Sequence, residues 1–284
     1  MSSKKQGIIY ILIAAFSFSL MTVFVRMSGD VPTMQKSFFR NLVAMMVAFV
    51  MVVKTGSGFK VRKGCLKYLI ARSSFGVTGI ICNFYAIDKL NISDANMLNK
   101  LSPFFAIIMS YFILKEKANK KEWLAVIIAF AGALFVMKPS FSMEALPAFI
   151  GALGGFTAGV AYTFVRKMGM LGQNKNFIVF FFSAFSCIVI LPFMLMDFKP
   201  MTLQQTLLLL GAGCAAAGGQ LGITAAYTKA PARDISVFDY SQIIFAAIWG
   251  FMFFGEVPDV LSFIGYAVII SAAVWRVMSA DKNK

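Results

Sequence analysis

The sequence predicts an all-α integral membrane protein: ten transmembrane helices, built as two inverted five-helix repeats. Three observations carry that expectation. Of the 284 residues, 59% are hydrophobic and 14% charged, against about 45–50% and about 25% in soluble domains, and mean hydropathy is +0.78. Apolar stretches of about 20 residues, the length that crosses a bilayer, recur from end to end. Landmarks also recur at a constant offset of 140, Asp94 with Asp234 and Glu116 with Glu256 among them.

The ten predicted spans are residues 7–27, 33–53, 68–87, 92–114, 122–137, 146–166, 176–196, 205–228, 233–254 and 259–278. The first follows Lys4 and Lys5 as a signal peptide would. Its apolar run continues to Val25 with no small-residue cleavage site after it, so a retained helix is expected. Arg40 lies about two turns into the second. Residues 54–67 are the longest polar stretch and read as a loop rather than a domain. The third span places Arg72, Gly76, Gly79 and Asn83 at three- and four-residue spacing, then Tyr85. The fourth carries Asn96, Asn99 and Lys100 on one helical face, with Pro103 beyond. The sixth has Gly151, Gly155 and Gly159 before Tyr162; the eighth has Gly218, Gly219, Gln220 and Gly222. These glycines are read as close helix contacts, since small residues let membrane helices approach. The ninth repeats the fourth's polar face as Ser236, Asp239 and Tyr240, followed by Gln242.

The offset needs no gap. Phe24-Val25-Arg26 meets Phe164-Val165-Arg166, Gly79 meets Gly219, Lys89 meets Lys229, and Phe105-Ala106 meets Phe245-Ala246. Repeats spanning 1–140 and 141–284 would hold five helices each, and an odd number forces them into opposite orientations. Secondary transporters are built this way, with the site near the midplane between halves. Lys and Arg crowd one set of regions: the N-terminus, the links after the second, fourth, sixth and eighth spans, and the C-terminus. The net charge of +15 therefore reads as topology rather than nucleic-acid binding. Both termini are expected to be cytoplasmic, in a cell inner membrane.

There is no histidine, and Cys65, Cys82, Cys187 and Cys214 stand alone. Zinc sites and Cys/His or Ser/His catalysis find no footing, and no cofactor is expected. Paired carboxylates of an intramembrane lipid-handling enzyme are missing too, because Asp88, Asp94, Asp239 and Glu256 are scattered. No P-loop is present, so ATP is not the direct drive. A channel would differ from a carrier in showing conductance rather than saturation and counterflow.

The stretches L-S-P-F-F-A-I-I (101–108), L-K-E (114–116) and the closing F-G-E (254–256) resemble the EamA family of the drug/metabolite transporter superfamily. The segment from Asp239 to Asp259, with Phe38-Phe39-Arg40, is similar to the branch that includes proposed S-adenosylmethionine and riboflavin carriers. The resemblance implies alternating access around a central cavity lined mainly by spans 1, 3, 4, 6, 8 and 9.

Candidate site residues follow from polarity at depth. Lys100 lies about eight residues into its span, about 12 Å at 1.5 Å per residue, where a lysine costs about 2.5–3.5 kcal/mol on insertion scales. It is expected to face a cavity or a partner; the competing reading is a lysine snorkelling to the interface. Asp239 has no lipid-compatible alternative. The two are expected to pair across an empty cavity, or to bind the carboxylate and amine of a zwitterion, with Asp239 the candidate for proton coupling. Asn96, Asn99, Ser236, Tyr240, Gln242, Asn83, Tyr85, Tyr162 and Gln220 are candidate hydrogen-bonding groups, and Pro103 a kink or gate. Arg40 is read as attracting an anion, pairing with Asp88 or Asp94, or snorkelling. Arg26 and Arg166 are read as interfacial anchors, and Glu116 and Glu256 as complements to the dipole of the following helix. The expected partners are the bilayer, a small-molecule substrate and a proton or counter-solute, for a monomer or homodimer.

Overall fold

The computed structural model describes residues 2–56, 58–89, 92–138 and 145–281, without the side chains of 84, 87, 88, 92–95 and 279–281. Its elements are α1 (Ser3–Met27), α2 (Thr33–Lys54), α3 (Leu66–Lys89), α4 (Ile92–Asn99), α5 (Ser102–Leu114), α6 (Lys120–Met137), α7 (Ala145–Met170), α8 (Lys175–Met196) and α9 (Leu203–Lys229). There follow α10 (Ala232–Ile235), a 3₁₀ turn (Ser236–Tyr240), α11 (Ser241–Phe254) and α12 (Val260–Asp281). Among the described residues all regular structure is helical.

These elements make ten spans because two spans are broken. The fourth is α4 plus α5, and the ninth is α10, the 3₁₀ turn and α11. Among the described residues, eight spans are long and apolar enough to cross a membrane unaided. The other two are α3 and α6. α3 carries Lys67, Arg72 and Lys89, and α6 opens on Lys120, Lys121 and Glu122. Their charges lower hydropathy without shortening the helices below a crossing length.

Local chemistry sets the ends. Asn119 caps α6 in a reciprocal box: its side chain accepts from the Glu122 N–H at 2.9 Å, and the Glu122 carboxylate accepts from the Asn119 N–H at 2.7 Å. Thr202 and Gln205 cap α9 in the same way. α5 and α11 both stop in a left-handed residue, Lys115 (φ 59°) and Gly255 (φ 64°). The next residue then bonds back in both: Glu116 N–H to Ser110 O and Glu256 N–H to Gly250 O, each 3.2 Å. The two stops are 140 residues apart, as the repeat predicts.

The packing crosses between halves. α1 lies along α9, α3 along α7, α2 along α8, and α6 along α12. α5 packs on α7 as α11 packs on α1. Glycine makes the tightest approaches possible. A Cβ on Gly159 of α7 would lie 2.7 Å from the Ala106 nitrogen of α5, and one on Gly222 of α9 would lie 3.0 Å from Tyr10 O of α1. The glycine stripes therefore seat neighbouring helices, as expected from sequence.

Candidate functional site

Lys100 sits at the break of the fourth span, and the chain explains the break. Pro103 has no N–H, so the Asn99 carbonyl loses its i+4 donor. The turn tightens, with Leu101 N–H donating to Leu98 O at 3.2 Å, and Pro103 then lies buried in the first turn of α5. The ninth span breaks at the matching place without a proline. There the 3₁₀ turn is held from outside: the Tyr240 hydroxyl donates to Lys100 O at 3.0 Å. The ammonium of Lys100 reaches Asp239 Oδ2 at 3.0 Å and Gln242 Oε1 at 2.8 Å. The Lys100 and Asp239 side chains are 12% and 13% exposed. Lys100 therefore faces a partner inside the protein and does not snorkel.

This pair borders a cavity of about 770 Å³, within the range of about 300–1,000 Å³ that holds small molecules. Of the residues singled out from sequence, Asn83, Asn96, Asn99, Lys100, Gln242, Arg40, Tyr162 and Gln220 lie in its wall. Asp239 stands behind Lys100 rather than in the wall. Tyr240 and Ser236 are fully buried, and neither they nor Tyr85 line the cavity. Tyr240 is a staple between the two broken spans. Asp88 and Asp94, the expected partners of Arg40, lie outside the residues whose side chains are described.

Two contributions exceed what the sequence suggested. α2 supplies Thr33, Lys36 and Ser37 to the wall beside the expected Arg40, although the resemblance placed the cavity mainly on spans 1, 3, 4, 6, 8 and 9. Arg72 of α3 is 2% exposed and also reaches the cavity. Its position on the face shared with Gly76 and Asn83 was the available signal.

The cavity opens away from the termini. Its rim holds Val25, Lys138, Val257 and Asp259, the ends and links on the side opposite residue 3. Lys138 and Asp259 form an ion pair there. That hydrogen bond, with Ser262 N–H and Oγ–H donating to the same carboxylate, holds Asp259 down to about 2. The termini side is sealed by charge. Arg276 donates to Glu122 Oε1 at 2.9 Å and Asp234 Oδ1 at 2.6 Å, and Lys4 joins Asp234 at 3.1 Å. Tyr162 and Tyr227 stack at 4.9 Å between rings.

The matched arginines and glutamates differ from the sequence reading. Arg26 pairs with Glu256 at 2.6 Å and Arg166 with Glu116 at 3.0 Å. Each pair joins one half to the other. The two carboxylates thus serve arginines of the other half rather than the dipole of the following helix. Asn119 and Glu122 serve the N-terminus of α6, while Asp259 accepts from Ser262 N–H at the start of α12.

Ten membrane spans that interlock by halves around a cavity open on one face define a multi-pass transport protein. Comparisons with known proteins agree. The profile of the EamA-like transporter family matches residues 5–138 and again 145–278. The chain belongs to that family, and so to the transporters of the drug/metabolite superfamily rather than to enzymes. It is 32% identical to the pseudopaline exporter of Pseudomonas aeruginosa (strain UCBPP-PA14) over 95% of both chains. It is 28% identical to human solute carrier family 35 member G1, over 89% of this chain and 73% of that one. An uncharacterized transporter of Helicobacter pylori (strain ATCC 700392 / 26695) is 23% identical over 94% and 93%. One solved crystal structure superposes with a TM-score of 0.87 at 14% identity, covering 98% of this chain and 99% of that chain, which shows the fold alone.

Proposed function

We propose that the protein is a secondary carrier of the cytoplasmic membrane, with both termini cytoplasmic, that moves a small polar metabolite by alternating access. An amino acid or related zwitterion is the favoured cargo. One observation carries this reading: a lysine and an aspartate meet at the broken midpoints of the fourth and ninth spans, beside the cavity. A zwitterion presents the complementary charges. Its carboxylate replaces Asp239 on Lys100, and its ammonium replaces Lys100 on Asp239, so opening the internal pair leaves neither charge unpaired. Asn96, Asn99, Asn83 and Gln242 offer the hydrogen bonds that orient it.

The name of the bacterial relative makes export the direction to test first. A second reading, a larger cofactor-like solute, draws on the cavity of about 770 Å³. Counterflow in proteoliposomes decides between carrier and channel. Preloaded amino acid should drive saturable uptake of the labelled one, and Lys100→Ala and Asp239→Asn should abolish it. Near-normal counterflow in both variants would remove this pair from the site. Ion conductance without saturation would remove the carrier.

A further inference from the structure

We propose that Arg40 and Arg72 form a second subsite in the same cavity, selective for anions. The solute then carries an acidic group, carboxylate or phosphate, beyond the one that Lys100 takes. The inference rests on the carrier reading above and specifies its substrate class.

Arg72 is held in place from three directions. Its Nη2 donates to Gln220 Oε1 at 3.2 Å, and its guanidinium carbon lies 3.6 Å from the centre of the Phe182 ring. One turn along α3, Gly76 leaves the space the group occupies: a Cβ there would stand 2.6 Å from Nη1 and 2.8 Å from the Phe182 ring edge. Among the described residues no partner meets the buried Nε of Arg72. Arg40 lines the same cavity from α2, and its buried Nε likewise has no partner among the described residues.

Among the described residues no carboxylate pairs with either arginine. The acids in the cavity wall, Glu256 and Asp259, are held at the rim by Arg26 and Lys138. Asp239 is held by Lys100. Among the described residues, two guanidiniums thus face a cavity inside a membrane span without a carboxylate partner. Buried charges are normally paired, and charge within a span marks a substrate path. A guanidinium presents planar N–H donors that match carboxylate or phosphate oxygens, often two at a time. An anion held beside the pair in the cavity supplies the counter-charge that the described protein residues do not.

The test is thermal unfolding of the purified full-length protein with a matched panel: alanine, asparagine, aspartate, N-(carboxymethyl)aspartate, O-phosphoserine and succinate. A ligand of the folded state raises the midpoint. Aspartate and N-(carboxymethyl)aspartate, or O-phosphoserine, should stabilise the wild type. Their half-effective concentration should rise about ten-fold or more in Arg40→Gln and Arg72→Gln, the loss of a charged hydrogen bond. Gly76→Ala, which crowds Arg72 without deleting it, should weaken binding in the same order even if an arginine deletion fails to fold. The carboxymethyl and phospho members separate the two anion sources. If alanine and asparagine stabilise as well as aspartate, and the arginine variants keep that response, the subsite is overturned while the zwitterion carrier stands. If succinate matches aspartate and depends on both arginines, the subsite stands and the need for an amine falls. If no member of the panel stabilises the protein, both readings fail.

Discussion

Lys100 and Asp239 show how one residue's depth in a membrane decides what surrounds it. An ammonium at that depth needs an acceptor, and three protein oxygens from Asp239 and Gln242 lie within 3.4 Å. Deleting one partner leaves the other buried and uncompensated, which costs about 3–5 kcal/mol, whereas replacing both is close to neutral. Lys100→Met alone should therefore destabilise the protein more than Lys100→Met with Asp239→Leu. Thermal unfolding in detergent reads the difference, and strictly additive losses would show that the two do not act as a pair. Gly159 makes a second residue-level case. A methyl there meets backbone at 2.7 Å, so Gly159→Ala should cost about 1–3 kcal/mol by overpacking, measured by the same unfolding.

At the scale of elements, the two Arg–Glu pairs are counterparts under exchange of halves. Arg26–Glu256 ties α1 to the end of α11 on the open face, where the side chains are 56% and 54% exposed. Arg166–Glu116 ties α7 to the end of α5 on the sealed face, where they are 16% and 14% exposed. If the carrier rocks between mirror-related states, the sheltered pair holds the sealed face shut. Glu116→Gln should let a thiol reagent reach Ser236→Cys faster, about ten-fold for each 1.4 kcal/mol of lost closure; an unchanged labelling rate would make the pair passive. At the opposite face, Asp259 is depressed from 3.8 to about 2 by Lys138 and Ser262. A depressed carboxylate contributes stability above its unfolded value and loses it as pH falls through the folded one. The unfolding midpoint of the wild type should thus fall toward that of Asp259→Asn between about pH 4 and pH 2, and the gap should be flat above that window.

For the whole molecule, the helix partners matter more than the chain order. All six helix pairs named above join residues before 139 to residues after 144. Neither half can bury its glycine faces alone. Residues 1–140 expressed by themselves should fail to give a stable membrane protein, while co-expression with 141–284 should restore a complex that binds ligand. A first half that is monodisperse and folded alone would show that the repeats are independent units. The charge bias of the links sets a further test. A C-terminal tag should be reached by a protease only from the cytoplasmic face.

The number of spans, their bounds to within a few residues and the 140-residue repeat were legible in the sequence, because a bilayer imposes length and apolarity directly on each segment. The break of the fourth span was legible too, since Pro103 removes a donor wherever it sits in a helix. Other features came only from tertiary structure. No proline or glycine lies between Ser236 and Gln242, and the ninth span breaks there because Tyr240 and Asp239 are held by Lys100 across the fold. Arg72 looked like one more residue on a glycine-lined face until Phe182, Gln220 and Gly76 formed a cradle around it. Tyr240 and Ser236, polar in the sequence, turned inward to staple or fill. Apolar period and charge are local quantities; which polar group faces water inside a bundle depends on neighbours that lie far away in the chain.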